Sequence, residues 1–172
     1  MIKIISMVIK NTLDKNLDLL YLSKSLDGAK IPKNCVPWVR LRLDPENYDV
    51  VFYKSGKFLI TGVKSPEKIN DTTERVLKIL EIAGVHNSLT ETEIVNIVCL
   101  GTLQFNTTLE KIVFHLNSSD VSYEPEQFPG LIYKNWGATF LIFSTGKVII
   151  TGVRNFEKAK ILFEKLEKLL KF

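Results

Sequence analysis

The chain has little of what metal and redox chemistry require. Its 172 residues include only two cysteines, Cys35 and Cys99, and two histidines, His86 and His115. Neither cysteine has a histidine at ligand spacing, so we predict no metal site and no cofactor. One cysteine in each half does not resemble a disulfide framework, which favours a reducing compartment.

The sequence also lacks an apolar run long enough to span a membrane, so we expect no membrane partner. The apolar stretch at residues 1–9 contains Lys3 and is too short for a signal peptide. No carboxylate pair or Cys–His pair stands at a workable spacing, which disfavours an enzyme. The Gly-Lys pairs at 56–57 and 146–147 lack the rest of a phosphate-binding loop motif, and we reject that interpretation.

What the chain does have is enough apolar content, 45%, to bury a sizeable core. Its net charge of +4 comes from residues 1–90, with 14 Lys and Arg against 10 Asp and Glu; residues 91–172 hold 9 of each. The sequence pI of about 9.0 is compatible with a nucleic-acid partner without requiring one.

An internal repeat organises the sequence. The segment Tyr53–Val63 returns as Phe143–Val153 at an offset of 90 residues. The identical pairs are Gly56/Gly146, Lys57/Lys147, Ile60/Ile150, Thr61/Thr151, Gly62/Gly152 and Val63/Val153. We therefore predict two copies of one supersecondary unit, the first repeat (residues 1–90) and the second repeat (residues 91–172), sharing one sheet. A pseudo-symmetric surface of this kind suits duplex DNA.

Each repeat is predicted to run strand, helix, three strands, helix. The predicted strands are Ile4–Ile9, Trp38–Leu43, Asp49–Tyr53, Lys57–Val63, Ile94–Leu100, Gly130–Lys134, Thr139–Phe143 and Lys147–Val153. The predicted helices are Asp14–Ser25, Pro66–Ala83, Thr107–Asn117 (capped by Thr107 or Thr108) and Phe156–Lys171. The closing helices offer Leu77, Leu80, Ile82, Leu162, Leu166 and Leu169 to the sheet.

The sheet face away from the helices is predicted to be apolar. Period-two alternation places Val8 with Ser6 on that face, and Val98 with Asn96. A solvated face would alternate to charged residues, so an apolar one indicates a buried interface. The alternative is that the two faces are exchanged and these residues form the core.

Residues 122–134 read Ser-Tyr-Glu-Pro-Glu-Gln-Phe-Pro-Gly-Leu-Ile-Tyr-Lys, followed by Leu-Ile-Phe-Ser-Thr-Gly-Lys at 141–147 and Thr151-Gly152. These sequence motifs closely resemble those of the TATA-box-binding protein family. The resemblance covers essentially the whole chain, strongly in residues 94–172 and weakly in residues 1–50. It implies an α+β saddle in which two pseudo-symmetric repeats form one curved ten-stranded antiparallel sheet with helices on the convex face.

The resemblance also implies binding to the minor groove of AT-rich DNA, and this family is itself a standard example of minor-groove wedging. The DNA-contacting positions would be Ser6, Val8, Val36, Arg42, Val51, Tyr53, Lys57, Leu59, Thr61, Lys64, Asn96, Val98, Phe128, Pro129, Lys134, Leu141, Phe143, Lys147, Ile149, Thr151 and Arg154. The basic members of this set would lie near phosphates, or else form an ordinary solvated rim.

The resemblance implies wedges in both repeats, but the first repeat departs from the pattern. Phe128 and Phe143 match the family's wedging phenylalanines, unless they are ordinary core aromatics; their counterparts are Val36 and Tyr53. Trp38 stands where the family has a small residue. We interpret Trp38 as a core anchor, with replacement of the lost wedge as the alternative.

A loop carrying Glu124 and Glu126 matches the family's docking site for transcription factor B, whereas the first-repeat loop, residues 30–35, has no acid. The resemblance thus implies a general transcription initiation factor that bends promoter DNA and recruits transcription factor B and RNA polymerase. The alternative is a divergent interaction module that docks transcription factor B but binds DNA weakly. The motif Glu-Pro-Glu-Gln-Phe-Pro-Gly looks more archaeal than eukaryotic, with a divergent eukaryotic or viral member as the alternative. The implied location is the cytoplasm or nucleoid for an archaeal member and the nucleus for a eukaryotic one.

Overall fold

The computed structural model describes residues 1–33, 37–104, 107–116 and 118–171. The strands are β1 (Ile2–Leu13), β2 (Trp38–Leu43), β3 (Tyr48–Tyr53), β4 (Lys57–Val63), β5 (Leu89–Thr102), β6 (Val121–Ser122), β7 (Leu131–Asn135), β8 (Ala138–Ile142) and β9 (Lys147–Val153). The helices are α1 (Leu19–Ser25), α2 (Lys68–Ile82), α3 (Leu109–His115) and α4 (Phe156–Leu169).

The strands follow the order β2-β3-β4-β1-β5-β9-β8-β7-β6 in one open antiparallel sheet. This confirms the predicted α+β class. The described residues contain nine strands and not ten, because the first-repeat counterpart of β6 is reduced to a single bridge between Lys30 and Arg40. Pro32 follows two residues after Lys30 and has no N–H with which to extend a ladder.

The opening helices are shorter than predicted, and α1 is shorter because its cap lies further along the chain. The Asp18 carboxylate accepts a hydrogen bond from the Tyr21 N–H, which starts α1 at Leu19 and not at Asp14. In α3 the Thr108 hydroxyl accepts from the Lys111 N–H, as one of the two predicted caps. The opening strands β1 and β5 are correspondingly longer than predicted.

The closing helix α2 starts after a turn at Ser65–Glu67 and stops at Gly84, whose φ of 81° suits glycine at a helix end. It buries Val76 and Leu80, but Ile82 is 79% exposed and was wrongly assigned to the apolar face. Two residues beyond Leu80 a helix has turned by about 200°, which carries Ile82 to the solvent side.

The chain forms two compact units. One is Ser6–Val95, and the other joins Met1–Ile5 to the chain from Asn96 onward. Each unit buries one face of its strands against its closing helix. In the first unit this core includes Met7, Ile9, Phe52, Phe58, Ile60, Val76 and Leu80; in the second it includes Cys99, Phe140, Ile142, Ile150, Leu162, Phe163 and Leu166.

The strand-to-helix contact is built differently in the two units. In the first, the buried Asn11 side-chain oxygen accepts a hydrogen bond from Thr92 over 2.8 Å and a weak one from Thr73 over 3.5 Å. Ninety residues later, Gly101 and Phe163 occupy the positions of Asn11 and Thr73. A Cβ on Gly101 would lie 2.3 Å from the Phe163 ring, so the ring packs directly on the glycine backbone.

The hairpins β3–β4 and β8–β9 turn through Gly56 and Gly146, each with a φ of 82°. A Cβ on Gly56 would lie 2.4 Å from the Lys15 carbonyl oxygen, and one on Gly146 would lie 2.4 Å from the Leu103 carbonyl oxygen. The hairpin carbonyls accept hydrogen bonds from the N–H groups of Leu13 and Leu103. Each tip is therefore tied to the end of its unit's first strand.

Candidate nucleic-acid interface

The sheet face opposite the helices is hereafter the open face. Period-two burial identifies it in the first unit, because Met7, Ile9, Phe58 and Ile60 are buried while the residues between them are only half-buried. The predicted DNA-facing residues Ser6, Val8, Val51, Tyr53, Leu59 and Thr61 are all half-buried members of this face. The faces are therefore as predicted and not exchanged.

The second unit repeats the arrangement with a more apolar surface. Its half-buried open face contains the predicted residues Asn96, Val98, Leu141, Phe143, Ile149 and Thr151. Leu141 pairs with Ile149 across β8 and β9, and Thr139 pairs with Thr151, which gives one row of aliphatic side chains and one row of threonines. Directly paired residues point to the same side of a sheet, so each row is continuous.

Asn96 is held in a fixed orientation on this face. Its side-chain N–H donates to the Thr151 hydroxyl over 3.1 Å, and its side-chain oxygen accepts from the Gly152 N–H over 2.9 Å. The first-repeat counterpart, Ser6, makes no side-chain hydrogen bond to any residue that the structure describes. Only the second unit therefore presents a pre-oriented amide at this position.

Phe128 and Phe143 form an aromatic pair on the open face. Their ring centroids are 5.8 Å apart at an interplanar angle of 64°, and both rings are half-buried. They lie over Gly130, where a Cβ would approach Phe128 to 2.7 Å and Phe143 to 3.0 Å. The adjacent Pro129 is exposed. The pair faces away from the helices, which is inconsistent with the alternative that these rings are ordinary core aromatics.

The first-repeat counterpart of this pair has a different composition. Val36, the predicted counterpart of Phe128, lies outside the described residues. Trp38 pairs directly with Tyr53 across β2 and β3, and in the second unit Gly130 lies against the Phe143 ring. Trp38 is half-buried on the open face beside the buried Val39, so the interpretation of Trp38 as a core anchor is wrong. The register brings an indole to the place where the second unit has bare backbone.

The predicted basic residues Arg42, Lys57, Lys64, Lys134, Lys147 and Arg154 are all exposed. Arg42 is held by an acid, because its Nη1 lies 3.0 Å from Asp49 Oδ2. Arg40 joins the same carboxylate, with Nε and Nη2 each 2.9 Å from Oδ1. Sequence reasoning missed Arg40 and Asp49, although the alternation Arg-Leu-Arg in β2 places both arginines on one face.

A second ion pair on the first unit's open face joins Lys10 of β1 to Glu93 of β5, at 2.5 Å. In the row Arg40–Val51–Leu59–Lys10, charged residues flank two aliphatic ones. The matching row of the second unit, Ile132–Leu141–Ile149–Leu100, is aliphatic throughout. The open faces of the two units are therefore chemically unequal.

The loop between β6 and β7 carries both predicted partner-binding acids, Glu124 and Glu126, in exposed positions. The Glu124 carbonyl accepts hydrogen bonds from the N–H groups of Gln127 and Phe128, each over 2.9 Å. A compact turn thus links the acidic tip to the base of the aromatic pair. Part of the corresponding first-repeat loop, residues 34–36, lies outside the described residues.

Other chemistry finds little support in the described part of the chain. No group of three or more His, Cys, Asp or Glu side chains is placed there to hold a metal ion. Burial raises the pKa of the Cys99 thiol to about 11, which keeps it protonated and unreactive near neutral pH. Among the helices described, none is long and apolar enough to cross a membrane.

Comparison with known proteins identifies the family. The sequence model described as "Transcription factor TFIID (or TATA-binding protein, TBP)" matches residues 1–83 and 91–172. The chain belongs to the TATA-box-binding protein family. It is 35% identical to the TATA-box-binding protein of Sulfurisphaera tokodaii, covering 92% of this chain and 82% of that one. It is 32% identical to that of Methanococcus aeolicus, covering 99% and 94%.

A solved structure described as Methanococcus jannaschii TBP matches with a TM-score of 0.84 and 32% identity, over 99% of this chain and 98% of that one. The predicted family and fold are therefore confirmed. Membership of this family makes the chain a general transcription factor of a DNA-binding class that performs no catalysis.

Proposed function

We propose that the chain binds AT-rich promoter DNA through the minor groove, bends it, and recruits transcription factor B and RNA polymerase. The observation that carries this proposal is the burial pattern of the open faces. Every predicted groove-facing side chain that the structure describes is half-buried and lies opposite the helices, apart from the exposed Pro129. The known relatives are TATA-box-binding proteins by name, which supports the same function here.

The chemistry of the open face suits an A·T minor groove. That groove presents only acceptor atoms at A·T pairs, whereas a G·C pair adds an exocyclic amine. Aliphatic residues such as Leu141 and Ile149 can lie against such a floor without leaving a donor unpaired. Asn96, held by Thr151, supplies a donor for the base acceptors.

Bending would come from Phe128 and Phe143. Apolar side chains inserted between base steps unstack them and kink the duplex, at a cost of a few kcal/mol per step. This edge-to-face pair projects from a face with no helix over it and rests on Gly130, which leaves the rings no room to retreat toward the backbone. The apolar surface that both partners then bury offsets the cost of unstacking.

Recruitment of transcription factor B would use the exposed acids Glu124 and Glu126. The first-repeat loop has no acid among residues 30–35, so partner contacts made by one loop only would give the complex a defined direction on the promoter. The double variant Glu124→Arg with Glu126→Arg should bind DNA normally but fail to form the ternary complex. Loss of DNA binding in that variant would contradict the separation of roles.

The test of DNA bending is energy transfer between the labelled ends of an AT-rich duplex, titrated with wild type and with Phe128→Ala plus Phe143→Ala at two salt concentrations. We expect bending by wild type and binding without bending by the variant. Lys24→Ala is the control, since Lys24 lies on α1 outside the predicted contact set. Equal bending by both proteins would reject wedging by these rings.

A second candidate function is a divergent module that binds DNA only together with transcription factor B. The observation that favours it is the pair of ion pairs on the first unit's open face, Arg40–Asp49 and Lys10–Glu93. Charged side chains lose hydration when they are pressed against a groove floor, which opposes binding. Binding that requires added transcription factor B would establish this candidate over the first.

A further inference from the structure

We propose that Lys30, Arg40 and Arg42 form a phosphate-binding subsite at the β2 edge of the first unit, and that the Asp49 carboxylate occupies it in the unliganded chain. A DNA backbone phosphate takes the place of Asp49 when the duplex binds. The inference rests on the proposed binding of DNA, and it concerns three side chains, Lys30, Arg40 and Asp49, that the predicted contact set does not include.

The geometry places two guanidinium groups on one carboxylate. Arg40 directs Nε and Nη2 at Asp49 Oδ1, each over 2.9 Å, and Arg42 directs Nη1 at Oδ2 over 3.0 Å. The register of β2 and β3 makes this possible, because Arg42 stands directly opposite Asp49 and Arg40 lies diagonally from it. Phosphate oxygens accept from arginine with the same fork geometry as a carboxylate.

Lys30 completes the cluster from the other side. Its backbone exchanges two hydrogen bonds with Arg40, of 2.8 and 2.9 Å, so the two side chains point to the same face. Lys30, Arg40, Arg42 and Asp49 line one cavity of about 270 Å³ together with Gly28. Three cations against one anion leave a surplus of two positive charges in this cavity.

The donors are not all used. A guanidinium group has five N–H donors. Arg40 uses two of its nitrogens to contact Asp49 and Arg42 uses one, so other N–H donors of both side chains do not point at the carboxylate. Both side chains remain about half exposed, at 46% and 52%. An incoming phosphate can therefore contact the outer N–H groups first and then displace the carboxylate, and exposed ion pairs of this kind are weak enough to exchange.

The described residues of the second unit form no equivalent subsite. At the positions of Lys30, Arg40 and Asp49, the register places Ser122, Ile132 and Thr139. Lys134 alone matches a cation, Arg42, and the corresponding cavity also contains Asp120, so its charges cancel. The cluster is therefore a property of the first unit alone and not of the repeated fold.

The position of the cluster indicates which phosphate source it meets. Arg42 and Asp49 lie at the outer end of the row that continues through Thr61 to Val8 on the open face. A duplex whose groove floor covers Thr61 and Val8 has its backbone at the border of that row. Backbone phosphates thus reach the cluster without any change in the predicted docking.

The first test is the salt dependence of binding to an AT-rich duplex. Each neutralised phosphate contributes a slope of about 0.9 to the fall of log K with log salt concentration. We expect Lys30→Ser with Arg40→Ile, which installs the second-unit residues, to reduce the slope by roughly 1 to 2. The matched control is Lys24→Ser with Lys78→Ser, because both lysines lie on helices and carry the same total charge. An equal change in slope for both double variants overturns the subsite.

The second test concerns Asp49. Asp49→Asn removes the competing charge, so we expect DNA affinity to rise roughly two- to ten-fold at low salt, where charge effects on binding are largest. Weaker binding by this variant would mean that Asp49 only positions the arginines, and would overturn displacement. A further measurement adds inorganic phosphate at constant ionic strength without DNA and follows the melting temperature. A rise for wild type and not for Lys30→Ser with Arg40→Ile would show that the subsite binds phosphate as a free anion as well as in DNA.

The third test locates the phosphate. Duplexes with one neutral methylphosphonate at each backbone position in turn should bind wild type more weakly at one or two positions, and the Lys30→Ser, Arg40→Ile variant should be insensitive there. Sensitivity that is the same in both proteins at every position overturns the inference. Failure of wild type to bind any duplex would reject the proposed function, whereas normal bending with unchanged slopes would reject the subsite alone.

Discussion

The rings of Phe128 and Phe143 meet edge to face at 5.8 Å between centroids, and they can pack this close to the backbone only because residue 130 has no side chain. In Gly130→Ala the new Cβ would lie 2.7 Å from Phe128, so that ring must move. We expect a clear loss of DNA bending by end-to-end energy transfer, with a stability loss of only about 1 kcal/mol because the half-exposed rings can shift. Glu164→Ala, on the exposed side of α4, is the control. Unchanged bending with a displaced melting temperature would mean that the ring geometry is irrelevant to the kink.

Trp38 lies on the open face beside Tyr53, so a contact between the first repeat and DNA can be observed directly. The chain has two tryptophans, so Trp136→Phe leaves Trp38 as the only indole. We expect its fluorescence to be quenched when an AT-rich duplex binds, because the open-face indole stacks on a base. Trp38→Gly, the residue of the second repeat, should weaken binding by about 1–3 kcal/mol, the usual contribution of one base–aromatic stack.

The reciprocal variant supplies the control for that measurement. In Trp38→Phe the remaining indole, Trp136, packs 5.7 Å from Tyr133 and lies under the Lys165 ammonium at 4.2 Å. These contacts are to the helix side, so its emission should not respond to DNA. Quenching of Trp136 and not of Trp38 would show that the duplex binds elsewhere.

The contacts Asn11–Thr73 and Gly101–Phe163 predict a strong coupling between strand and helix. Thr73→Phe alone should destabilise the fold by about 2 kcal/mol or more, since the larger ring crowds the buried Asn11 side chain, whose oxygen keeps only its hydrogen bond from Thr92. Asn11→Gly alone should also destabilise it, by leaving a cavity beside Thr73. The double variant copies the second unit and should recover part of the loss, giving an interaction energy of about 0.5–3 kcal/mol in a denaturant double-mutant cycle. Additive effects would mean that the Gly101–Phe163 contact cannot replace the Asn11–Thr73 contact in the first unit.

Burial of Cys99 predicts a loss of stability at high pH. Its pKa rises from 9.0 to about 11 on folding, so between these values the unfolded chain releases the proton and the folded chain keeps it. The stabilising contribution is therefore complete below pH 9 and is lost as the pH rises through about 11, by about 1–3 kcal/mol. Cys99→Ala should be less stable near neutrality but should show a flatter decline from pH 9 to 11 in urea melts. Identical slopes for the two proteins would contradict the assignment.

Sequence reasoning located the strands near the repeated motif well, because β4 and β9 alternate cleanly and begin directly after the glycine turns at Gly56 and Gly146. It overextended α1, because Leu17 stands three residues before Leu20, which is a helical spacing, while the cap lies at Asp18. Ile82 and Trp38 were misassigned for a shared reason. The exposure of Ile82 depends on its angular position around the helix, and that of Trp38 depends on strand register. Neither can be read from the apolar character of the residue alone.

The candidate site also contains residues that the sequence predicts and residues that it does not. The open-face residues from Val8 to Thr151 follow from two-residue periodicity together with the family resemblance. The Arg40–Asp49–Arg42 cluster does not, because it depends on the pairing of β2 with β3, which brings residues 7 and 9 positions apart onto one carboxylate. Hydrogen bonding that fixes Asn96 through Thr151 likewise spans 55 residues and is invisible to local patterns.

The hairpin glycines Gly56 and Gly146 explain why the internal repeat can still be recognised in the sequence. Each touches a carbonyl oxygen so closely that no side chain fits, and each has a backbone angle that other residues avoid. At such positions two copies of an ancestral unit have no room to drift apart, whatever either copy now does. At Trp38 and its counterpart Gly130 the two copies have diverged. At these two glycines, identity between the halves therefore records steric prohibition, and the differences elsewhere are the better guide to how the two halves have come to serve separate tasks.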